Sequence, residues 1–256
     1  MGLLDEILAT KRREAEALAR ERHRRPADWE IRPVLPALKR QRDDALRLIA
    51  EIKLRSPSAG PLSRKLSAEE RARVYEASGA SMISVLTDAR YFDGSFEHLA
   101  RVREASSLPL LCKDFVLAAS QVDKAWASGA DAVLVIVRCL PDETLDLVVR
   151  AVRERGLEAF VEVTNEAELG RALAAGARLV GVNARDLDTL AMDAERAARV
   201  IEKIPPEVVA VHLSGLKGPS DAARIAASRA DAALVGEALM RADDPGPLLQ
   251  SMIERA

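Results

Sequence analysis

Aromatic side chains are scarce in this chain: Phe, Trp and Tyr make up 3% of its 256 residues. A protein that grips single strands by stacking bases on aromatic platforms needs more of them. Charge of one sign is missing too. Lys and Arg number 38 against 40 Asp and Glu, a formal net charge of -2, so no overall field draws the chain to nucleic acid or to an anionic membrane. No apolar run is long enough to span a bilayer, and the opening Met1-Gly-Leu-Leu-Asp-Glu6 is acidic where a secretory leader would be basic. Two cysteines occur, Cys112 and Cys139, each inside an apolar run. They are expected as buried free thiols in a reducing cytoplasm, not as a disulfide framework. The remaining composition, 48% hydrophobic and 30% charged, suits one large domain with a well-buried core.

From Leu3 to about Arg25 apolar residues recur at helical spacing (Leu4, Ile7, Leu8, Leu18) with dense charge between them. That spacing predicts a largely exposed amphipathic helix. The basic run Lys11-Arg-Arg13 and the cluster from Arg20 to Arg25 read as a solvated face, because acids are interleaved. Pro26, Pro33 and Pro36 then interrupt the helix, and a short helical piece follows around Leu38.

A rhythm begins at residue 46. Apolar, β-branched-rich runs occur at Leu46–Lys53, Met82–Thr87, Leu108–Phe115, Ala132–Val137, Leu157–Val163, Leu179–Asn183, Val208–Ser214 and Ala232–Gly236, with helical periodicity between them. Ala77-Ser-Gly-Ala80, Ala127-Ser-Gly-Ala130, Ala174-Ala-Gly-Ala177 and Ala227-Ser-Arg-Ala230 each hand a helix end to a strand. Repetition of this unit predicts a (β/α)8 TIM barrel over 46–256, preceded by an N-terminal helical extension over 1–45. The structural alternative is an open doubly wound sheet, but no glycine-rich phosphate fingerprint follows the first run.

In such a barrel alternate residues face the interior, and active sites form at the C-terminal ends of the strands. Glu51 and Lys53, two residues apart, then cap one end from inside. The third run delivers Lys113, the fifth Glu162, the sixth Asn183 and Arg185; the seventh ends in Ser214 and Gly215, the eighth in Gly236. Taken singly, Glu51–Lys53 and Lys113–Glu162 are plain buried ion pairs, which seldom repay their desolvation. Polar intrusions at the same end of five separate strands point instead to a site. Two lysines among two carboxylates suit general acid–base work. Arg55, Ser56 and the loop to Gly60, with the glycines at 215 and 236, suggest a phosphate cradle, since backbone N–H groups approach an anion closely where no side chain intervenes.

Ile49-Ala-Glu-Ile-Lys-Leu-Arg-Ser-Pro-Ser58, Ile83-Ser-Val-Leu-Thr87, Tyr91-Phe-Asp-Gly-Ser95, Leu108-Pro-Leu-Leu-Cys-Lys-Asp-Phe115, Val161-Glu-Val163, Gly181-Val-Asn-Ala-Arg-Asp-Leu187 and Val235-Gly-Glu-Ala-Leu-Met240 together resemble indole-3-glycerol phosphate synthase. The resemblance runs over nearly the whole chain, including the helical extension. It implies conversion of 1-(2-carboxyphenylamino)-1-deoxyribulose 5-phosphate to indole-3-glycerol phosphate, carbon dioxide and water, the ring-closing step of tryptophan synthesis. No cofactor and no metal is implied. Carried over by motif, Lys113 would be the general acid. Lys53, Glu51 and Glu162 would serve the later proton transfers and the placing of the substrate carboxylate. Asn183 would position the substrate's hydroxyls and Glu162, Arg185 would lie near the ring carboxylate, and Ser56, Gly215 and Gly236 would hold the phosphate, with Ser214 also expected to bind substrate. The expected partner is a phosphorylated small molecule, with no nucleic acid and no membrane, for a cytoplasmic monomer or weak homo-oligomer.

Two departures from the family pattern stand out. The seventh strand of the family usually ends Val-Ala-Glu-Ser-Gly-Ile, whereas this chain reads Val211-His-Leu-Ser-Gly-Leu216. Leu213 therefore occupies an inward carboxylate position, and His212 should face the helix layer. Asn183-Ala-Arg185 replaces the commoner Asn-Asn-Arg. Two other readings remain at this level: a Schiff-base enzyme using Lys53 or Lys113 as nucleophile on a phosphosugar, and a barrel that binds phosphometabolites without turning them over. The missing carboxylate predicts that turnover rises in a Leu213→Glu variant; steady-state kinetics showing an unchanged or lower rate would overturn this.

Overall fold

Both faces of each apolar run are buried, which is what a parallel sheet closed on itself and wrapped by helices requires. In a computed structural model describing residues 2–41, 44–57, 60–186 and 191–254, the strands are β1 (Arg47–Ile52), β2 (Met82–Leu86), β3 (Leu110–Lys113), β4 (Ala132–Ile136), β5 (Glu158–Val163), β6 (Leu179–Asn183), β7 (Val209–Leu213) and β8 (Ala232–Val235). They form a closed parallel barrel in which each strand pairs with its sequence neighbours and β8 returns to β1. This is a (β/α)8 TIM barrel. All eight runs expected from the sequence are present; the sixth keeps its expected bounds and the other seven are trimmed by a residue or more.

Period-two alternation divides the core in two. Leu48, Ala50 and Ile52 of β1 join the layer between strands and helices. Ile49 joins Met82, Leu111, Leu134, Phe160 and Leu179 inside the barrel. The intervening helices begin and end where the chain supplies caps. Helix α3 (Ala68–Ala77) starts with a reciprocal pair: Glu70 N–H donates to Ser67 Oγ at 3.2 Å, and Ser67 N–H to Glu70 at 2.7 Å. At the repeated handover, Gly79, Gly129 and Gly176 hold φ of 91°, 96° and 78°, a conformation that would strain any side chain.

Helices α1 (Leu3–Leu18) and α2 (Val34–Leu38) precede the barrel. The first is shorter than the periodicity suggests, and its buried face is Leu4, Ile7, Lys11 and Ala15. Lys11 is thus not on a solvated face. Its ammonium lies 2.8 Å from each of Glu14, Asp88 and Asp114. Burial opposes the charge, but the three carboxylates more than offset it and raise the Lys11 pKa above its ordinary value. Arg25 also departs from expectation, donating to the carbonyls of Trp126 and Ala130 at 2.8 and 2.9 Å. Periodicity within one helix does not report what the opposing surface offers, and here that surface offers carboxylates and helix-end carbonyls.

The end of the barrel opposite the site is stapled by two buried aspartates. Asp131 accepts from Leu110 N–H at 2.9 Å, Arg32 N–H at 2.8 Å and the Arg103 guanidinium at 2.9 Å. Asp231, the equivalent residue a hundred positions on, accepts from Ala210 N–H and Arg229, each at 2.9 Å. Asp131→Ala leaves the buried Arg103 unpaired, so urea unfolding should show a loss of about 3–5 kcal/mol, with kcat of the folded fraction unchanged.

Candidate active site

Inward alternation and parallel register bring the polar strand ends together. Leu86 pairs with Lys113, Ile136 with Glu162 and Asn183 with Leu213, so each side chain arrives at the same rim. At its centre Glu51, 1% exposed, is shared by two ammonium groups. Lys53 donates to its Oε1 at 2.6 Å, and Lys113 stands 3.3 Å from its Oε2. Burial disfavours ionisation of Glu51, but Lys113 and Lys53 together hold its pKa down to about 2. Lys113 is desolvated in turn, yet the charges of Glu51 and Glu162 raise its pKa and keep its proton in place.

The Lys113–Glu162 ion pair suggested by the sequence is not formed, because Lys113 turns to Glu51. Glu162 instead accepts from Asn183 Nδ2 at 2.9 Å, while Asn183 Oδ1 accepts the Arg185 N–H at 2.9 Å. This fixes the amide orientation. Burial raises the Glu162 pKa, with Lys113 and the Asn183 hydrogen bond pulling partly the other way. One carboxylate is therefore locked as an anion while the other is poised to exchange a proton, a division of roles useful in acid–base chemistry.

The cavity has two lobes with a common waist. Lys53, Lys113, Glu162, Asn183, Arg185 and Ser214 line both. One lobe, about 330 Å³, runs beneath β7 and β8, where Gly215, Gly236, Lys217 and Arg241 line it. The other is smaller, about 130 Å³, and apolar: Phe92, Phe115, Leu134 and Ile136 form its wall, and Leu3, Leu4 and Ile7 of α1 lie across it. The N-terminal helix therefore covers the mouth. Phe115 shares a face with Lys113 and was legible by alternation. Neither the α1 residues nor Lys217 and Arg241 carried a sequence signal of their own, since each owes its place to the closing of the barrel.

Glycine at 236 is required by close approach, since a Cβ there would sit 2.5 Å from Glu51 Oε1. Gly215 has φ of 87° and Ser214, before it, 69°, so the turn after β7 is held in the left-handed region, as is common at functional sites. Two of the expected phosphate ligands, Arg55 and Ser56, are separated from each other. Arg55 and Ser56 form a short antiparallel hairpin with Gly60–Pro61, and alternation sends them opposite ways. Ser56 turns in to the apolar lobe, whereas Arg55 points out, 3.8 Å from Asp93, and lines neither lobe. Ser58 and Ala59 of that loop, and Leu187 of the sixth motif, lie outside the described residues.

Leu213 and His212 stand as alternation requires. Leu213 belongs to the interior cluster and lines the larger lobe, leaning so close to β6 that a Cβ on Gly181 would meet it at 2.7 Å. His212 is buried on the outer side; burial and the nearby Arg224 lower its pKa.

Comparison with known proteins decides the family. A family model described as indole-3-glycerol phosphate synthase matches residues 4–252. The chain belongs to the indole-3-glycerol phosphate synthase family. A synthase of that name from Nocardioides sp. (strain ATCC BAA-499 / JS614) is 43% identical over 255 residues, covering 98% of each chain. One from Mycobacterium sp. (strain KMS) is 41% identical over 222 residues, covering 87% of this chain and 82% of that one. Among solved structures, thiamine phosphate pyrophosphorylase from Pyrococcus furiosus (TM-score 0.61, 18% identity) covers 83% of this chain and 96% of its own. The N-acetylmannosamine-6-phosphate 2-epimerase from Clostridium perfringens (TM-score 0.63, 14% identity) covers 84% and 94%. These two share the barrel fold. The activity of the family is that of a carboxy-lyase in tryptophan biosynthesis. No helix of the described residues is long and apolar enough to cross a membrane.

The Asn183–Glu162 bond generates a test. A hydrogen bond to the ionised form lowers a carboxyl pKa, so Asn183→Ala should raise that of Glu162 further. Activity that needs ionised Glu162 is lost as pH falls through its folded value. The acid limb of the kcat/KM profile should therefore move to higher pH in the variant; a limb that stays put would show that Glu162 is not the group titrating.

Proposed function

We propose that the two lobes hold the two ends of 1-(2-carboxyphenylamino)-1-deoxyribulose 5-phosphate and that the waist between them performs the ring closure. The observation that carries this is the waist itself: two lysines and two carboxylates at the junction of an apolar lobe and a glycine- and cation-lined one. The aromatic ring lies in the apolar lobe against Phe115 and beneath α1, with its carboxylate near Arg185. The phosphate lies under β7 and β8, at Ser214, Gly215 and Gly236, with Lys217 and Arg241 beside it.

Lys113 donates its proton to the ketone oxygen as the ring carbon bearing the carboxylate attacks the ketone carbon. Its raised pKa suits it to arrive protonated. Carbon dioxide then leaves from the ring carbon, its bonding electrons restoring the aromatic system. The new hydroxyl departs as water after accepting a proton, assisted by the ring nitrogen's lone pair. Lys53, held by Glu51, supplies that proton, and Glu162, steadied by Asn183, accepts the one released as the indole forms. A Schiff-base mechanism needs a neutral lysine amine, and both lysines are tied as ammonium groups to Glu51. We assign the enzyme to the cytoplasm, as a monomer or weak homo-oligomer.

The test is the appearance of indole fluorescence when the purified protein meets this substrate. Turnover should be present in the wild type and fall by about 10²–10⁴-fold in Lys113→Ala, the usual worth of a positioned general acid. Binding of the substrate without turnover would leave a barrel that kept its pocket and lost its chemistry.

A further inference from the structure

Behind the larger lobe lies a charge that the chemistry above does not use. Arg71, on α3, is 0% exposed and ranks among the largest fully buried side chains. Its guanidinium reaches neutral partners: Nη1 donates to Leu239 O at 3.4 Å and Nη2 to Ser63 O at 3.3 Å, and the Tyr75 hydroxyl lies against it. Its Nε has no hydrogen-bond partner, and no carboxylate of the described residues lies within ion-pair distance of it. A buried cation left without a counter-ion is costly. The other buried cations described above, Lys11 and Arg103, each have a carboxylate.

The two carbonyls locate this charge relative to the site. Ser63 lies just past the hairpin that follows β1, and Leu239 lies in α11 (Glu237–Arg241), the helix whose Glu237, Ala238 and Arg241 line the larger lobe after Gly236. Tyr75, one turn on from Arg71 and also 0% exposed, points its hydroxyl to Met240 of the same helix and to the Glu51 carbonyl, at 3.8 and 3.5 Å. One face of α3 thus seats α11 against β1, with an unpaired positive charge on the far side of α11 from the lobe.

We propose that Arg71 is a positioning residue for the phosphate end of the substrate: its counter-ion is the bound phosphate, across α11, and it holds α11 at the distance that phosphate requires. The charge is uncompensated in the free protein and compensated in the complex, so it favours the phosphorylated ligand without touching it. This rests on the assignment of the larger lobe to phosphate.

The experiment compares Arg71→Gln, which keeps donors and removes the charge, with Arg71→Lys, which keeps the charge. In Arg71→Gln the KM and the inhibition constant for inorganic phosphate should both rise, by about tenfold as for other supporting residues behind a ligand site, while kcat stays within about twofold. Arg71→Lys should recover most of the phosphate affinity. The thermal shift given by saturating inorganic phosphate should shrink in Arg71→Gln and return in Arg71→Lys. An unchanged phosphate constant, a parallel fall in kcat, or failure of lysine to restore phosphate affinity would overturn the proposal and leave Arg71 a structural brace. Absence of turnover in the wild type would sink the synthase reading alone, because the phosphate-induced shift still decides the role of Arg71.

Discussion

The mouth of this barrel is organised around one carboxylate serving two ammonium groups. Glu51 reaches its position because β1 places Ile49 inside the barrel and the next inward residue is at the rim. There it meets Lys53, just past the end of its own strand, and Lys113 from β3. Other features of the site follow from this triad. Gly236 must lack a side chain because Glu51 occupies the space, and Lys113 is drawn away from Glu162, which leaves Glu162 free to bond Asn183. With Glu51 held ionised, neither lysine is left as an isolated buried charge. The remaining carboxylate is the one whose proton affinity burial pushes up.

The two ends of the barrel solve opposite problems with the same residue types. At the closed end Asp131 and Asp231 are saturated by backbone N–H groups and guanidinium groups, so their charges are spent on cohesion. At the open end the charges are shared unevenly: two cations on one anion, with a second anion held by a neutral amide. That imbalance is tolerable because the rim is partly open to water, Lys53 and Lys113 having side chains 17% and 22% exposed. It also leaves capacity for a ligand that brings its own carboxylate and phosphate.

How far the sequence was legible divides along a physical line. Strands, interior alternation and the convergence of Glu51, Lys113, Glu162 and Asn183 follow from local pattern and the rule that parallel strands end together. Arrangements that depend on distant surfaces did not. Lys11 looked solvated because its partners, Asp88 and Asp114, come from the ends of β2 and β3. The apolar face of α1 was visible, but not that it roofs the small lobe. Arg55 was read with Ser56 as one phosphate-binding loop, although a hairpin separates neighbouring side chains as surely as a barrel strand does. That Lys113 would meet Glu51 and not Glu162 was also beyond sequence spacing, because it depends on which side chains compete for each anion.

The same competition gives Leu213 its significance. Its side chain lies in the larger lobe with Lys53 and Lys113, where the family pattern has a glutamate. A third carboxylate there would draw an ammonium group from Glu51, weakening the shared pair and freeing a lysine to face the ligand. With leucine present, both lysines depend on Glu51, and the lobe gains an apolar wall that closes over Gly181. His212 does not restore the lost charge, since alternation turns it to α10 (Pro219–Ala226), toward Arg224 and Asp221. The chain therefore runs its proton transfers with fewer anions at the rim, and the division between a locked Glu51 and a titratable Glu162 becomes correspondingly sharper.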